Sequence, residues 1–236
     1  MITNEQNKEI TKYLLSKNLP IDLVLEVKDH MIEQIENMEN VSFEDAFEEV
    51  KLSWKEELKM VFSLKSPFRK LTKFQKKIVK KTEYKILIKS IKLFLPFLVL
   101  SIMITLYNKE LSKTINFIVY LIIAIITVLS MIFYNKTYRT INLIKKKYIS
   151  IYQGSSQLYF LSGMYVIIFN LLNFDVRFEK FYNSVYSILN WYLDYISLLS
   201  LLATYIFIFF CLLGLFYFLN YKKTITELKN RIKLKL

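Results

Sequence analysis

The chain has 236 residues, of which 54% are hydrophobic, and it carries a formal net charge of +13. A soluble domain of this length would spread its apolar residues through alternating amphipathic segments, whereas here they are gathered into long runs in the second half. The single cysteine, Cys211, and the single histidine, His30, argue against a disulfide, a thiol-based metal site and a Cys–His or Ser–His–Asp catalytic group. Three isolated glycines do not form a phosphate-binding loop. We therefore expect a membrane protein that is not an enzyme and holds no cofactor.

Charge divides the chain into two parts. Residues 1–64 contain fourteen acidic and seven basic side chains, a net charge of −7, whereas the remaining residues carry 26 basic and six acidic side chains, a net charge of +20. An acidic module thus precedes a basic, apolar body. We predict an acidic cytoplasmic helical module (1–64), a basic juxtamembrane helix (65–87), a membrane domain (88–220) and a basic cytoplasmic tail (221–236).

Apolar side chains recur at spacings of three and four in the acidic module, which predicts three short amphipathic helices. They cover roughly residues 4–17 and 20–38 and then a stretch after Ser42, which begins a capping-box pattern. Three helices of this size bury a small core only marginally, so we expect the module to lean on the next segment or on a partner. The predicted core residues are Ile10, Tyr13, Leu14, Leu15, Leu23, Val24, Val27, Met31, Ile35, Met38, Phe43, Ala46, Phe47, Val50, Trp54 and Leu58.

One face of the second predicted helix is acidic and holds the only histidine. Glu26, Asp29, His30 and Glu33 lie three or four residues apart and share this face. Such a set could seat a divalent metal ion, but no second histidine supports it, and we favour a solvated face that a partner contacts. A metal-dependent membrane enzyme would instead bind zinc and lose it on His30→Ala.

The first 60 residues resemble a known family. The segments 19–35 (LPIDLVLEVKDHMIEQI), 42–47 (SFEDAF) and 54–58 (WKEEL) are similar to the HAAS-type helical module that precedes the spans of uncharacterised bacterial membrane proteins. Some members of that family are encoded beside PadR-like regulators. The resemblance implies a bacterial origin and a regulatory or partner-binding role, and it assigns no catalytic residues.

Residues 65–92 hold eleven basic side chains and one acidic side chain, Glu83. A helix that starts near Ser66 would place Phe68, Leu71, Phe74 and Ile78 on one side. A basic amphipathic helix beside a membrane span predicts contact with anionic lipid headgroups, which are a nearer anion than nucleic acid. Alternatively, the helix docks the acidic module through opposite charges, and salt would then weaken the contact. The predicted headgroup contacts are Arg69, Lys70, Lys73, Lys76, Lys77, Lys80 and Lys81.

Four apolar runs follow, at about 88–107, 115–134, 157–174 and 196–219. Twenty uncharged residues make a helix of about 30 Å, which is long enough to cross a bilayer. One side of the four predicted spans carries 22 basic residues and the other side carries four. The positive-inside rule then predicts a multi-pass protein of the cell membrane with both termini in the cytoplasm.

The connections and the polar residues of the spans complete the prediction. We expect a seven-residue turn at 108–114 and a second span that continues into the loop 135–156. On the outer side we expect an interfacial helix anchored by aromatic residues, with Phe181, Val185, Ile188, Trp191 and Tyr192. Ser200 and Thr204 form a small-xxx-small pair that favours helix packing or a homo-oligomer.

The predicted fold class is therefore all-α: a cytoplasmic three-helix module, a basic interfacial helix and a four-helix transmembrane bundle. The predicted function is a membrane-anchored regulatory or protein-interaction protein that acts through this module and binds an unidentified protein partner. The alternative is a small transporter or an accessory subunit of a membrane complex, which Asn170 and Pro96 would support.

Overall fold

The computed structural model describes residues 2–17, 19–61, 71–141, 150–152, 156, 161–190 and 195–232. The chain is all-α apart from one short pairing of two strands within these ranges, which confirms the predicted fold class at that level. The elements in chain order are α1 (Asn4–Ser16), α2 (Ile21–Glu36), α3 (Phe43–Trp54), β1 (Met60–Val61), β2 (Leu71–Thr72), α4 (Lys73–Tyr107), α5 (Lys109–Ile141), α6 (Leu161–Leu171), α7 (Phe174–Leu189) and α8 (Tyr195–Ile232).

The chain divides into two units, which are described separately. The N-terminal unit comprises Met1–Tyr84, Ile144–Ile151 and Lys223–Lys235, and the apolar unit comprises Lys85–Leu143, Tyr152–Lys222 and Leu236. Two long helices, α4 and α8, contribute residues to both units.

The N-terminal unit is built on the apolar stripes of α1, α2 and α3, as their spacing predicts. Thr3 begins α1 with a capping box, in which its side chain and that of Gln6 satisfy each other's backbone N–H groups. Ser42 likewise caps α3 by accepting a hydrogen bond from the backbone of Asp45. The three stripes meet in one core, and the core residues predicted from the sequence are buried there or pack against it, with the exception of Leu15, which is exposed.

Two short strands follow α3 and were not predicted. Met60 pairs with Thr72 and Val61 with Leu71, in antiparallel register. The prediction of a helix that starts near Ser66 is therefore wrong at residues 71 and 72, where the backbone is a strand and α4 begins only at Lys73. The physical reason is the hydrogen bonding of this backbone, because the N–H of Lys73 donates to the carbonyl of Lys59. Residues 66–70 lie outside the described part of the chain.

The α4 helix does not stop at the predicted boundary between residues 87 and 88. It runs without interruption to Tyr107 and contains Pro96. The predicted seven-residue turn after it is also wrong, because α5 begins at Lys109. Asn108 separates the two helices, and its side-chain oxygen accepts the N–H of Leu111, which satisfies a free donor at the start of α5. As expected, α5 continues beyond residue 134, and it ends at Ile141.

Three described helices are long and apolar enough to cross a membrane: Lys73–Tyr107, Lys109–Phe133 and Leu201–Leu228. The third predicted span takes another form. Leu161–Leu171 and Phe174–Ile188 are bent by 92° at a short break, so they form either one broken span or a re-entrant loop. The described part of the chain thus has three such helices, or up to four if the bent pair is one span. The predicted number of four stays a prediction.

The core of the apolar unit is rich in aromatic side chains from α7 and α8. Phe178, Phe181 and Val185 of α7 are buried with Tyr205 of α8, and the rings of Phe181 and Tyr205 meet edge to face at 5.9 Å. The predicted interfacial stripe is therefore wrong at Phe181 and Val185, which protein side chains cover, whereas Ile188 is exposed. Trp191 and Tyr192 lie outside the described residues.

Two ion pairs join the start of α5 to the first part of α7. Lys109 lies 2.8 Å from Glu179, and Lys113 lies 2.8 Å from Asp175. The ammonium group of Lys109 also lies 4.7 Å from the ring centre of Tyr182. Both lysines between the first two predicted spans thus have a carboxylate partner on α7.

Gly163 of α6 lies close to the side chain of Thr127 in α5. A Cβ atom on Gly163 would overlap the side-chain oxygen of Thr127 in α5. Thr127 has no exposed surface, and its hydroxyl group donates to the carbonyl of Ile123, so it has little freedom to move away. Glycine therefore sets the separation of these two helices, in the way that small residues do between membrane helices.

We predict that Gly163→Ala destabilises the apolar unit by about 1–3 kcal/mol, because the added methyl group overpacks the contact with Thr127. Reversible unfolding of the purified protein in mixed detergent micelles measures the change. The double variant Gly163→Ala with Thr127→Ala should recover part of the loss, since it removes two of the three overlapping atoms. A Gly163→Ala variant as stable as the wild type would contradict this packing.

Candidate functional site: the basic start of α4 and its neighbours

The start of α4 is fixed by two buried polar side chains. The hydroxyl oxygen of Thr72 accepts the N–H of Gln75 at 3.1 Å, and the side-chain oxygen of Gln75 accepts the N–H of Thr72 at 2.8 Å. This is a capping box, and both residues are almost fully buried. The sequence Thr-Lys-Phe-Gln therefore begins a helix at a defined place and holds it against the N-terminal unit.

The apolar side of the first turns of α4 packs on the core of α1–α3. Phe74 and Ile78 both contact this core, and the N–H of Phe74 donates to the carbonyl of Glu57 at 2.9 Å. Trp54 of α3 is at the centre of the contact. Its ring meets Phe74 edge to face at 5.5 Å, and its indole N–H donates to the side chain of Gln34 in α2.

Apolar side chains and backbone hydrogen bonds therefore dominate the contact between α4 and the first three helices. One ion pair contributes, between Lys73 and Glu56 at 2.6 Å, and this hydrogen bond lowers the pKa of Glu56. Both side chains are largely exposed, and exposed pairs of this kind contribute little to stability. One expectation from the sequence was that the basic segment docks on the acidic module through opposite charges. The contact in the structure is mainly apolar, so salt should weaken it only slightly.

The lysines at the start of α4 form one exposed basic face. Lys73, Lys76, Lys77, Lys80 and Lys81 are all exposed, and they occur at spacings of three and four along the helix. Phe74 and Ile78, which were expected to lie in the lipid interface, face the core instead. Arg69 and Lys70, the other two predicted headgroup contacts, lie outside the described residues.

The acidic face of α2 is exposed, as its pattern indicates. Glu26, Asp29, His30 and Glu33 all have exposed side chains. His30 lies 3.7 Å from Glu33, and its ring stacks on Trp54 at 6.5 Å. Among the described residues, no group of three or more His, Cys, Asp or Glu side chains is placed to hold a metal ion.

Asp22 is a residue whose role the sequence did not reveal. One of its carboxylate oxygens accepts the N–H of Leu23 at 2.9 Å, and the other accepts the N–H of Ile151 at 3.2 Å. Ser150 also hydrogen-bonds the carboxylate with its side chain. Burial raises the pKa of Asp22 to about 6, the charge of Glu26 acts in the same direction, and the three hydrogen bonds oppose this shift.

Asp22 thus forms hydrogen bonds with residues that are far away in the sequence. Ser150 is almost fully buried, and Ile151 packs on the core of α1–α3. The position of Asp22, a single acid among Ile21, Leu23 and Val24, was the one signal in the sequence. Nothing in the spacing of residues could have named its partners, which lie about 130 positions later.

The polar side chains of the predicted spans form hydrogen bonds with one another. Thr105 of α4 bonds Ser112 of α5 at 2.8 Å, Asn116 donates to Ser112, and the hydroxyl of Tyr205 in α8 donates to Ser101 at 3.1 Å. All five side chains are buried. They join α4, α5 and α8, which is the usual role of such groups between membrane helices.

No family model matches the chain, and neither a curated protein nor a solved structure matches it.

We predict that raising the pH destabilises the N-terminal unit through Asp22. Its pKa is about 6 in the folded state and about 3.8 in the unfolded state, so folding favours the protonated acid. The stabilising contribution of the proton is complete below the unfolded pKa and is lost as the pH rises through about 6. A shift of about two units corresponds to at most about 3 kcal/mol. Fluorescence of Trp54 during chemical unfolding, in a Trp191→Phe background, measures the free energy of unfolding.

The control is Asp22→Asn, which does not titrate. The parent protein should lose stability relative to this variant as the pH rises from 4 to 7, and the difference should then level off. Because the other carboxylates are the same in both proteins, their titration cancels in this difference. Identical pH profiles for the two proteins would show that Asp22 is ordinarily solvated.

Proposed function

We propose that the protein is a membrane-anchored regulatory or protein-interaction protein that acts through its N-terminal unit. The observation that supports this most directly is the separation of charge on that unit. A single apolar core unites α1–α3 with the start of α4, while lysines are exposed on α4 and acidic side chains on α2. Charged faces of opposite sign favour electrostatically guided binding rather than catalysis. The resemblance to HAAS-type modules agrees with a regulatory role.

The lysine face of α4 is proposed to contact anionic lipid headgroups. The same helix continues into an apolar stretch long enough to span a bilayer, so insertion of that stretch would hold the lysines of this face on one side of the bilayer, with Lys80 and Lys81 nearest to the headgroups. Each lysine near an anionic surface contributes about 1 kcal/mol of attraction, and five of them form a substantial anchor at ordinary salt concentration. The acidic face of α2 is then the surface proposed for a protein partner.

The proposed location is the cell membrane, with both termini in the cytoplasm. The distribution of basic residues supports this orientation, because Lys and Arg near the spans favour the cytoplasmic side.

Cysteine labelling in intact cells tests the orientation. Cys211 is first replaced by serine, which leaves a chain without cysteine, and Lys12→Cys or Lys180→Cys is then added. We expect a membrane-impermeant maleimide to label residue 180 in intact cells and residue 12 only after the cells are opened. Labelling of residue 12 in intact cells would reverse the proposed orientation.

A second candidate function, a small transporter, is favoured by the broken pair α6–α7. Its first helix is π-helical from Val166 to Leu171 and holds the buried side chain of Asn170. Interrupted helices with a polar residue at the break are a feature of transport sites. The apolar stretches 93–108, 114–135 and 195–221 contain no charged residue, so the ionisable groups typical of such sites are missing from them.

Site-specific photo-crosslinking in living cells tests the interaction function. A photoreactive phenylalanine at Glu33, in the acidic face, should give a discrete adduct, and the same probe at Glu5 of α1 should not. Glu26→Lys with Asp29→Lys should abolish the adduct, because reversed charge repels a basic partner. Glu26→Asp with Asp29→Glu should keep it. The exposed positions of these residues leave folding unaffected. Position-independent crosslinking that charge reversal does not change would refute the function.

A further inference from the structure

An apolar crevice lies within the apolar unit, between α4, α5 and α8. Its volume is about 290 Å³. Its walls are almost free of polar atoms and are formed mainly by Leu93, Phe97, Ile123, Ile126, Ile208 and Leu215. The thiol-bearing residue Cys211 is part of the wall. A cavity of this kind has no groups that could hold water by hydrogen bonds, so it favours a hydrocarbon occupant.

The apolar lining of the crevice suits a hydrocarbon chain. An acyl chain is flexible and is thinner than an α-helix with its side chains, which is about 10 Å across. Each of the three helices that line the crevice also contains a candidate membrane span, and lipid is the hydrocarbon available there.

Positive charge is placed at one end of the crevice. Lys89 precedes Leu93 by four residues on α4, and Lys85 precedes Lys89 by four, so the three side chains lie along one side of the helix. A rise of 1.5 Å per residue places Lys89 about 6 Å along the axis from Leu93. Both lysines are exposed. An anionic headgroup at these lysines would leave its acyl chain beside the opening lined by Leu93 and Phe97.

We propose that the crevice between α4, α5 and α8 binds one acyl chain of an anionic phospholipid whose headgroup contacts Lys85 and Lys89. The site differs from the lysine face at the start of α4, because it selects a lipid by chain and headgroup together. It rests on the proposed insertion of the apolar unit in a bilayer and does not depend on a protein partner.

Photolabelling of the full chain in vesicles tests this site. The vesicles contain phosphatidylcholine and a small fraction of phosphatidylglycerol with a photoreactive group in the acyl chain. We expect labelling of residues 119–126 and 208–215 to exceed, by fivefold or more, that of Val99, Leu100 and Met103, which are exposed on α4 and contact bulk lipid. Ile126→Trp should abolish the excess by filling the crevice. Val128→Trp, which changes an exposed residue outside the crevice, should keep it.

A second pair of samples tests the headgroup. Lys85→Gln with Lys89→Gln should remove the preference for photoreactive phosphatidylglycerol over photoreactive phosphatidylcholine. Equal labelling of the crevice and of Val99, Leu100 and Met103 would overturn the site while leaving membrane insertion intact. A photoreactive phenylalanine at Ile122, in the wall of the crevice, that crosslinks two copies of the chain would overturn it in favour of a dimer. Absence of label from all of α4, α5 and α8 would overturn both the site and the proposed insertion.

Discussion

The contact of α4 with the core of the first three helices is the interaction on which the rest of the N-terminal unit depends. Three helices of 13, 16 and 12 residues have little area to bury against one another. Phe74 and Ile78 add to that core from a fourth helix, and the capping box of Thr72 and Gln75 fixes where this helix begins. Because these apolar side chains are used in the core, the exposed side of the same turns is left to lysines. The basic face is thus a consequence of how the core is closed.

Charge contributes little to the contact between α4 and the first three helices. Opposite net charges in neighbouring segments suggest attraction between them, yet the ion pair of Lys73 with Glu56 lies at the edge of the contact and is exposed to solvent. The buried part consists of Trp54, Phe74 and backbone hydrogen bonds, which depend weakly on ionic strength. The lysine face of α4 and the acidic face of α2 are both exposed. Their exposure supports the proposed role of these faces in binding.

The sequence correctly predicted the apolar stripes of α1, α2 and α3. Residues such as Ile10, Val27 and Phe47 are buried as their period indicates, since one face of an amphipathic helix must be removed from water. It failed where structure depends on a few backbone bonds or on distant partners. Strands of two residues have no measurable period, so β1 and β2 left no signal. The hydrogen bond between Asp22 and Ile151 joins segments that no local pattern relates. The headgroup contacts and the acidic face were predicted as sets of residues, and the described members of both sets are exposed.

The role of a polar residue in an apolar helix depends on the side chains that surround it, and the bend between α6 and α7 is an example. In the sequence, Asn170 suggests a transport site, and a break of 92° close to it strengthens that suggestion. Several other buried polar side chains of the unit, however, are engaged with one another or with helix carbonyls, as Thr105 is with both Ser112 and Ser101. A polar group whose partners lie on adjacent helices stabilises their packing and is costly to expose to a passing solute. The approach of Gly163 to Thr127 has the same effect, because it leaves no room for the helices to move together. The interior of the apolar unit is thus better suited to holding helices in place than to conducting a solute, which is why the charged faces of the N-terminal unit are the stronger basis for function.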